Sequence, residues 1–284
     1  MIKRLMIILI LCLFNSGCGL NAVQRESVTR FASASTGLGK FSAKELTAWR
    51  DITIQMNSKD IAMGGIGKLN DLDGAFNPDD VQARIHAAQA LTAYGHLLSS
   101  LVGSNNGELK NAALQFEDSI KGVSDKNLSN NQLDILGSVV YNIGGLFVEW
   151  QKAKALKEIV LQTKPDIDKL CDLLITDFDP RALNLAQAIA NTSNRLKGDA
   201  DITLSASSNI QDKLIAIDAY KLADEQKSRL KKIAAYVVET LKVLKSANTE
   251  LANALENDSE TLDETKLLGI KMKELALALQ VSGH

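Results

Sequence analysis

The chain has 284 residues, 45% of them hydrophobic but only 5% aromatic, with three prolines. Its 32 basic and 34 acidic residues balance to a slightly acidic chain, which argues against a nucleic-acid binder with a basic face. Ala, Leu, Lys and Asn are abundant and period-two alternation of β-branched residues is nearly absent, so the composition is that of a helical protein with a sizeable core.

The chain starts Met-Ile-Lys3-Arg4, continues with an apolar run from Leu5 to Phe14, and then reads Asn15-Ser16-Gly17-Cys18. A basic start, a short apolar core and small residues at a cut site form an export signal. Ten apolar residues are about half of the roughly 20 that a spanning helix needs, so the segment is expected to be cleaved. Ser16-Gly17-Cys18 resembles the lipobox of bacterial lipoproteins, with Asn15 where that motif usually has Leu. The resemblance covers the first 18 residues and implies cleavage before Cys18 and acylation of Cys18, with palmitate-type chains. Each buried methylene contributes about 0.8 kcal/mol, so one chain holds marginally and two or three hold durably. Gly19, not Asp, follows the cysteine, which implies the outer membrane, with the mature part in the periplasm or exposed at the surface. Loss of Lys3 and Arg4 leaves 30 basic against 34 acidic residues, a net charge of −4.

Residues 18–41 read as a lipidated N-terminus and flexible tether with a potential helix in its middle, because Ser33-Ala-Ser-Thr-Gly37-Leu-Gly39 is small and polar. Ser42-Ala-Lys-Glu45 has the form of a capping box and predicts a helix that carries Leu46, Trp49, Ile52 and Met56 to a stop at Gly64-Gly65. Asn77-Pro78-Asp79-Asp80 supplies an N-cap, a first-turn proline and two acids for the next helix, which ends at Gly103. A short helix follows from about Gly107 to Lys121, closed by Gly122. Ser129-Asn-Asn-Gln132 opens a long one through Leu136, Phe147 and Leu156. Pro165 and Pro180 predict helix starts or a kink. The pattern is then helical to Asn257, with interruptions expected at Lys197-Gly198-Asp199 and Leu222-Ala-Asp224-Glu225. A last helix from about Thr261 to Gln280 carries Leu267, Ile270, Leu275 and Leu279 on its apolar face. The expected fold is all-α, an elongated antiparallel bundle of six to nine helices over residues 42–284 with no sheet and a potential seam near Pro165.

Little in this pattern carries chemistry. Gly37-Leu-Gly39-Lys40 and Gly64-Gly65-Ile66-Gly67-Lys68 lack the first glycine and the hydroxyl of a phosphate loop. The segment Leu69–Asp80 resembles an EF-hand loop, with Asp71, Asp73, Asn77 and Asp80 as candidate calcium ligands and Gly74 as the turn glycine. It departs from that pattern at Leu69 and in having Asp80 where a bidentate Glu is expected. An acidic loop leading into a capped helix is the favoured reading. His86 and His96 lie ten residues apart on one helix, roughly 15 Å along its axis, too far to share a metal. His284 is the last residue. Cys171, among Leu170, Leu173 and Leu174, is expected in the core. No catalytic residue and no cofactor are expected.

The stretch Leu133–Trp150 is the most apolar of the mature chain. It reads as the central core helix or, alternatively, as the inserting element of a membrane-active protein similar in architecture to α-pore-forming toxins. The chain as a whole resembles all-helical bacterial lipoproteins. The resemblance carries no known activity; the expected function is that of a lipid-anchored, non-enzymatic scaffold or binding module for another envelope component, with an envelope enzyme as the third reading.

Overall fold

A computed structural model describes residues 20–65, 68–103, 106–121, 149–257 and 263–282. Among these residues the chain forms seven helices and no strand: α1 Ala22–Ala62, α2 Pro78–Val102, α3 Asn106–Lys121, α4 Glu149–Phe178, α5 Leu185–Ala206, α6 Ile210–Asn257 and α7 Asp263–Ser282. The all-α bundle expected from the pattern is what forms. The Ser129–Gln132 box and the apolar stretch from Leu133 to Val148 lie outside the described residues, as do Cys18 and His284.

The tether is where the expectation fails. Residues 22–41 are the first half of α1, a continuous 41-residue helix. Its cap is Asn21, whose Oδ1 accepts from the Gln24 amide at 2.7 Å while Gln24 Oε1 accepts from the Asn21 amide at 3.2 Å, a reciprocal capping box. Ser42 lies fully buried inside the helix and caps nothing. Its supposed partner Glu45 accepts a hydrogen bond from Trp49 Nε1 instead. The far end of α1 behaves as expected: Gly64 takes φ 83° and the Gly65 amide returns to the Asp60 carbonyl at 2.9 Å.

Small residues in Ser33–Gly39 serve packing, not flexibility. The same pattern, Ala-x-x-x-Thr-x-x-Gly, occurs as Ala32–Gly39 in α1 and as Ala88–Gly95 in α2. The two copies face one another antiparallel. A Cβ on Gly39 would fall on the Ala88 carbonyl oxygen and Thr92 Oγ1, and a Cβ on Gly95 would fall on the Ala32 carbonyl oxygen and Thr36 Oγ1. Ser35 Oγ donates to the Leu91 carbonyl at 2.7 Å between them. Helix backbones come this close only where side chains are small. Beside this seam Tyr94 stacks edge-on against Phe31 at 6.0 Å and tilted against Phe116 of α3 at 5.4 Å, which locks the apolar core.

Cross-bonds give the remaining directions. Lys152 donates to the Gly103 carbonyl and Arg84 pairs with Asp177, so α4 runs antiparallel to α2. Lys245 meets Asp172 and Lys157 meets the Glu256 carbonyl, so α6 runs antiparallel to α4. The Glu250 carboxylate of α6 accepts from the first amides of α7, Asp263 at 2.8 Å and Glu264 at 3.0 Å, capping that helix in trans. The result tapers. At the broad end α1, α2, α3, α4, α6 and α7 pack around one core; past Trp49 and Phe178, which touch at 4.7 Å, the bundle narrows to α1, α5 and α6.

Four further expectations need correction. Pro165 starts no helix and marks no seam: α4 runs through it and packs on α2 and α6 both before and after it. Neither Lys197–Asp199 nor Leu222–Glu225 interrupts a helix, and α6 is continuous for 48 residues. The break lies at Ser207–Asn209, where Ser207 Oγ accepts from the Asn209 amide and Asn209 Oδ1 from the Gln211 amide. α7 buries Leu268 and Leu275 together with Thr265, while Leu267 and Ile270 face outward.

Candidate functional site

Arginine–carboxylate pairs pin the narrow half of the bundle. Arg229 Nη2 of α6 donates to Glu45 Oε2 at 2.7 Å, Arg84 Nε of α2 to Asp177 Oδ1 of α4 at 3.0 Å, and Arg50 Nη2 of α1 lies 2.9 Å from Asp73 Oδ1. Burial raises the Glu45 and Asp177 carboxyls above the ordinary carboxylate range, against the opposing pull of Arg229 and Arg84. Each buried acid is held by one cation at a packing joint, which is the arrangement of a structural pin.

Protein groups also engage the side chains of two of the four calcium-loop candidates, Asp73 and Asn77. Asp73 is taken by Arg50, and Asn77 Oδ1 caps α2 by accepting from the Asp79 and Asp80 amides at 2.9 and 3.4 Å. Asp80 offers its carbonyl to Arg84 Nη1, and Asp71 is exposed. Asn57 Nδ2 donates to the Leu72 carbonyl at 2.7 Å and Phe76 is buried, so protein groups already hold the loop in place. Among the described residues no group of three or more His, Cys, Asp or Glu is placed to hold a metal ion.

His86 and His96 line one open groove of about 430 Å³ between α2 and α3, with Gln89, Thr92, Gln115 and Asp118. A second groove of about 300 Å³ is lined by Asp80, Arg84, Asn184 and Gln187, its arginine already committed to Asp177. Cys171 is fully buried as expected, and that burial pushes its thiol far above its ordinary range, so it offers no nucleophile. Among the described residues no helix is long and apolar enough to cross a membrane.

What the structure adds is the tip of the α5–α6 hairpin. Arg195 and Asp199 lie beside Asp60 near the end of α1, and the hairpin continues past that point. From Asp201 to Ile215 no residue is buried. Ile202 is 66% exposed and Ile210 76%, and Leu214 and Ile217 follow Ile210 at helical spacing on an exposed face. Residues 202–211 carry no charge, and Asp199, Asp201, Asp212 and Asp218 flank them against Lys213 and Lys221. Apolar periodicity of this kind reads as core in a sequence, and only the taper of the bundle reveals that no described residue covers it. Compared with known protein families, curated proteins and solved structures, the chain matches none.

Proposed function

We propose that this protein is a lipid-anchored component of the bacterial cell envelope, a non-enzymatic helical scaffold that presents its hairpin tip to another envelope protein. The observation that supports this reading is the placement of the two ends. Only Gly19 and Leu20 stand between Cys18 and the Asn21 cap of α1, at the broad end. The apolar tip, exposed among the described residues, lies at the opposite end of α6, whose 48 residues span about 72 Å at 1.5 Å each. An acylated Cys18 would therefore hold the broad end directly at the lipid surface of the outer membrane. The tip would stand some 70 Å into the periplasm, or outside the cell if the anchor is in the outer leaflet.

Replacement of Cys18 by Ala is expected to move the protein from the membrane fraction to the soluble fraction and to abolish incorporation of labelled palmitate. Unchanged fractionation would overturn the anchor. For the tip, the double variant Ile210→Ser/Leu214→Ser is expected to unfold within about 0.5 kcal/mol of the parent, because both side chains are already exposed. In intact cells, a photo-crosslinker at position 202 should give a discrete adduct with an envelope protein in the parent and lose it in the double variant. Adducts that survive the substitutions would place the partner elsewhere. Dye release from liposomes by the purified, unlipidated protein would favour the membrane-active reading and sink the scaffold.

A further inference from the structure

The first turns of α6 carry an apolar stripe with a charge on either flank. Ile210, Leu214 and Ile217 recur at intervals of four and three residues and are 76%, 52% and 38% exposed. At about 100° per residue, they point within roughly 30° of one direction. The opposite side of the helix, with Ala216, Ala219 and Ala223, is the buried side. The stripe therefore faces away from the core of its own hairpin. Lys213 lies on one flank and Asp218 on the other, both exposed, and neither has an ion pair among the described residues. The polar groups around them are engaged within the chain. Asp212 Oδ2 accepts from Ser207 Oγ at 2.8 Å, and Lys197 Nζ donates to Asp224 at 2.7 Å while sitting over the Tyr220 ring.

We propose that this stripe pairs two copies of the chain, with the first turns of α6 side by side and parallel. Alternation of four and three residues is the seam of a two-stranded coiled coil, with Ile210 and Ile217 at position d and Leu214 at position a. That register puts Lys213 at g and Asp218 at e, five residues on. In a parallel pair a g residue faces the e residue five positions on in the other chain. Lys213 of each copy then meets Asp218 of the other, and the two-fold axis makes the contact twice. In an antiparallel pair g faces g and e faces e, so lysine would meet lysine and aspartate would meet aspartate. The flanking charges therefore favour a second copy of this surface and fix its direction. Lys221, next on the stripe, would meet its own twin, so the contact closes after about two turns. Three apolar side chains from each copy bury far less than the roughly 1,200–2,000 Å² of a standard interface. The pair is accordingly weak in solution, and two chains anchored upright on one membrane would form it more readily. Pairing also sets two hairpin loops side by side, so the envelope partner proposed above would meet a doubled tip. The pairing stands on the flanking charges, whether or not that partner binds.

Cysteine trapping on residues 18–284 carrying Cys18→Ala tests this, because the remaining native thiol, Cys171, is buried. All the positions substituted are exposed, so the variants are expected to fold as the parent does. Ile210→Cys and Ile217→Cys should each form a disulfide-linked dimer of its own, well above the level of Ser205→Cys on α5. With one of the two variants tagged, preferential linking of the Ile210→Cys chain to the Ile217→Cys chain would mean an antiparallel contact and overturn the assignment. Adding Lys213→Glu is expected to lower the trapped dimer about three- to tenfold, as two exposed ion pairs become like-charge contacts. Adding Asp218→Lys as well restores opposite charges in reverse order and should recover the dimer. A loss that the second substitution does not recover, or trapping no greater than that of Ser205→Cys, would overturn the pairing. In intact cells, with Cys18 retained, the Ile210→Cys and Ile217→Cys chains should give a linked species of twice the chain mass. Linked species of another mass in its place would assign the stripe to a different envelope protein and overturn the pairing, while leaving the proposed function intact.

Discussion

Gly39→Ala and Gly95→Ala are each expected to destabilise the bundle by about 2–3 kcal/mol, the cost of inserting a methyl group into a close-packed core. The new Cβ at position 39 would lie 2.7 Å from the Thr92 amide nitrogen, and at position 95 it would lie 2.8 Å from the Thr36 amide nitrogen. In both cases the obstacle is the backbone of the facing helix, so relief requires the helices to part. Parting them would also stretch the Ser35–Leu91 bond and open the Phe31–Tyr94 contact. Alanine's higher helix propensity returns up to about 1 kcal/mol, which is too little to reverse the sign. The molecule supplies its own control. Gly198 of α5 has nothing within 4 Å of the same position, so Gly198→Ala is expected to gain about 0.5–1 kcal/mol. Urea unfolding of the three variants at constant m-value would read these differences directly. Because one separation of α1 from α2 relieves both clashes, the double variant Gly39→Ala/Gly95→Ala should cost less than the two singles together. A neutral Gly95→Ala would show that the two backbones do not meet.

That seam also shows where local reading of the sequence stops. Asn77-Pro78-Asp79-Asp80 was legible because cap, proline and acids act on the three residues that follow them, and the structure puts Asn77 Oδ1 on the Asp79 and Asp80 amides. Gly64 and Gly103 were legible for the same reason. Ser33–Gly39 was not. A run of small residues suits a loose tether and a tight helix crossing equally well, and the choice is made by Ala88–Gly95, about fifty residues away. The repeated Ala-x-x-x-Thr-x-x-Gly pattern was visible in the sequence and would have reversed the assignment. Ser42-Ala-Lys-Glu45 failed similarly: the box is real as a string, but the partner that decides the fate of Glu45 is Arg229, 184 residues on.

The candidate site was less legible still. Asp60 and Asp199 are unremarkable acids in the sequence, one in the last turn of a helix and the other beside a glycine that seemed to break one. Ile210, Leu214 and Ile217 follow the same helical period as the core residues of α6, and nothing local separates them from Leu230, Val237 and Leu241. What separates them is how far each neighbour extends, since α1 stops near Asp60 and α4 at Phe178. Element length was the least certain quantity in the pattern, because Lys197–Asp199 and Leu222–Glu225 imitate loops while Ser207–Asn209 is one.

Arg84→Met is expected to cost about 3–5 kcal/mol at neutral pH, the penalty for stranding a buried charge. The Asp177 side chain is fully buried, and its Oδ1 depends on Arg84 Nε while its Oδ2 has no partner among the described residues. The reverse change should be milder. In Asp177→Asn, Arg84 keeps the Asp80 carbonyl and its one-fifth exposure to water, so a loss nearer about 1–2 kcal/mol is expected, that of one imperfectly replaced hydrogen bond. Replacing both partners, as in Arg84→Met/Asp177→Leu, should be close to neutral, because no charge is then left inside. The pH dependence separates charge from packing. In the parent, burial already raises Asp177 while Arg84 opposes it through its charge and its hydrogen bond. Removing Arg84 leaves the raising cause alone, so the folded variant holds the Asp177 proton to a higher pH than the parent does. A raised carboxyl costs stability as pH rises through its folded value and costs nothing once it is protonated. The penalty of Arg84→Met should therefore shrink as pH is lowered from 7 towards 4, where folding buries a neutral acid in both proteins. A penalty that stays constant over that range would assign the role of Arg84 to the packing of its aliphatic stem and not to its charge. In that case the pins of the narrow end would be steric, and Glu45 with Arg229 should show the same flat profile.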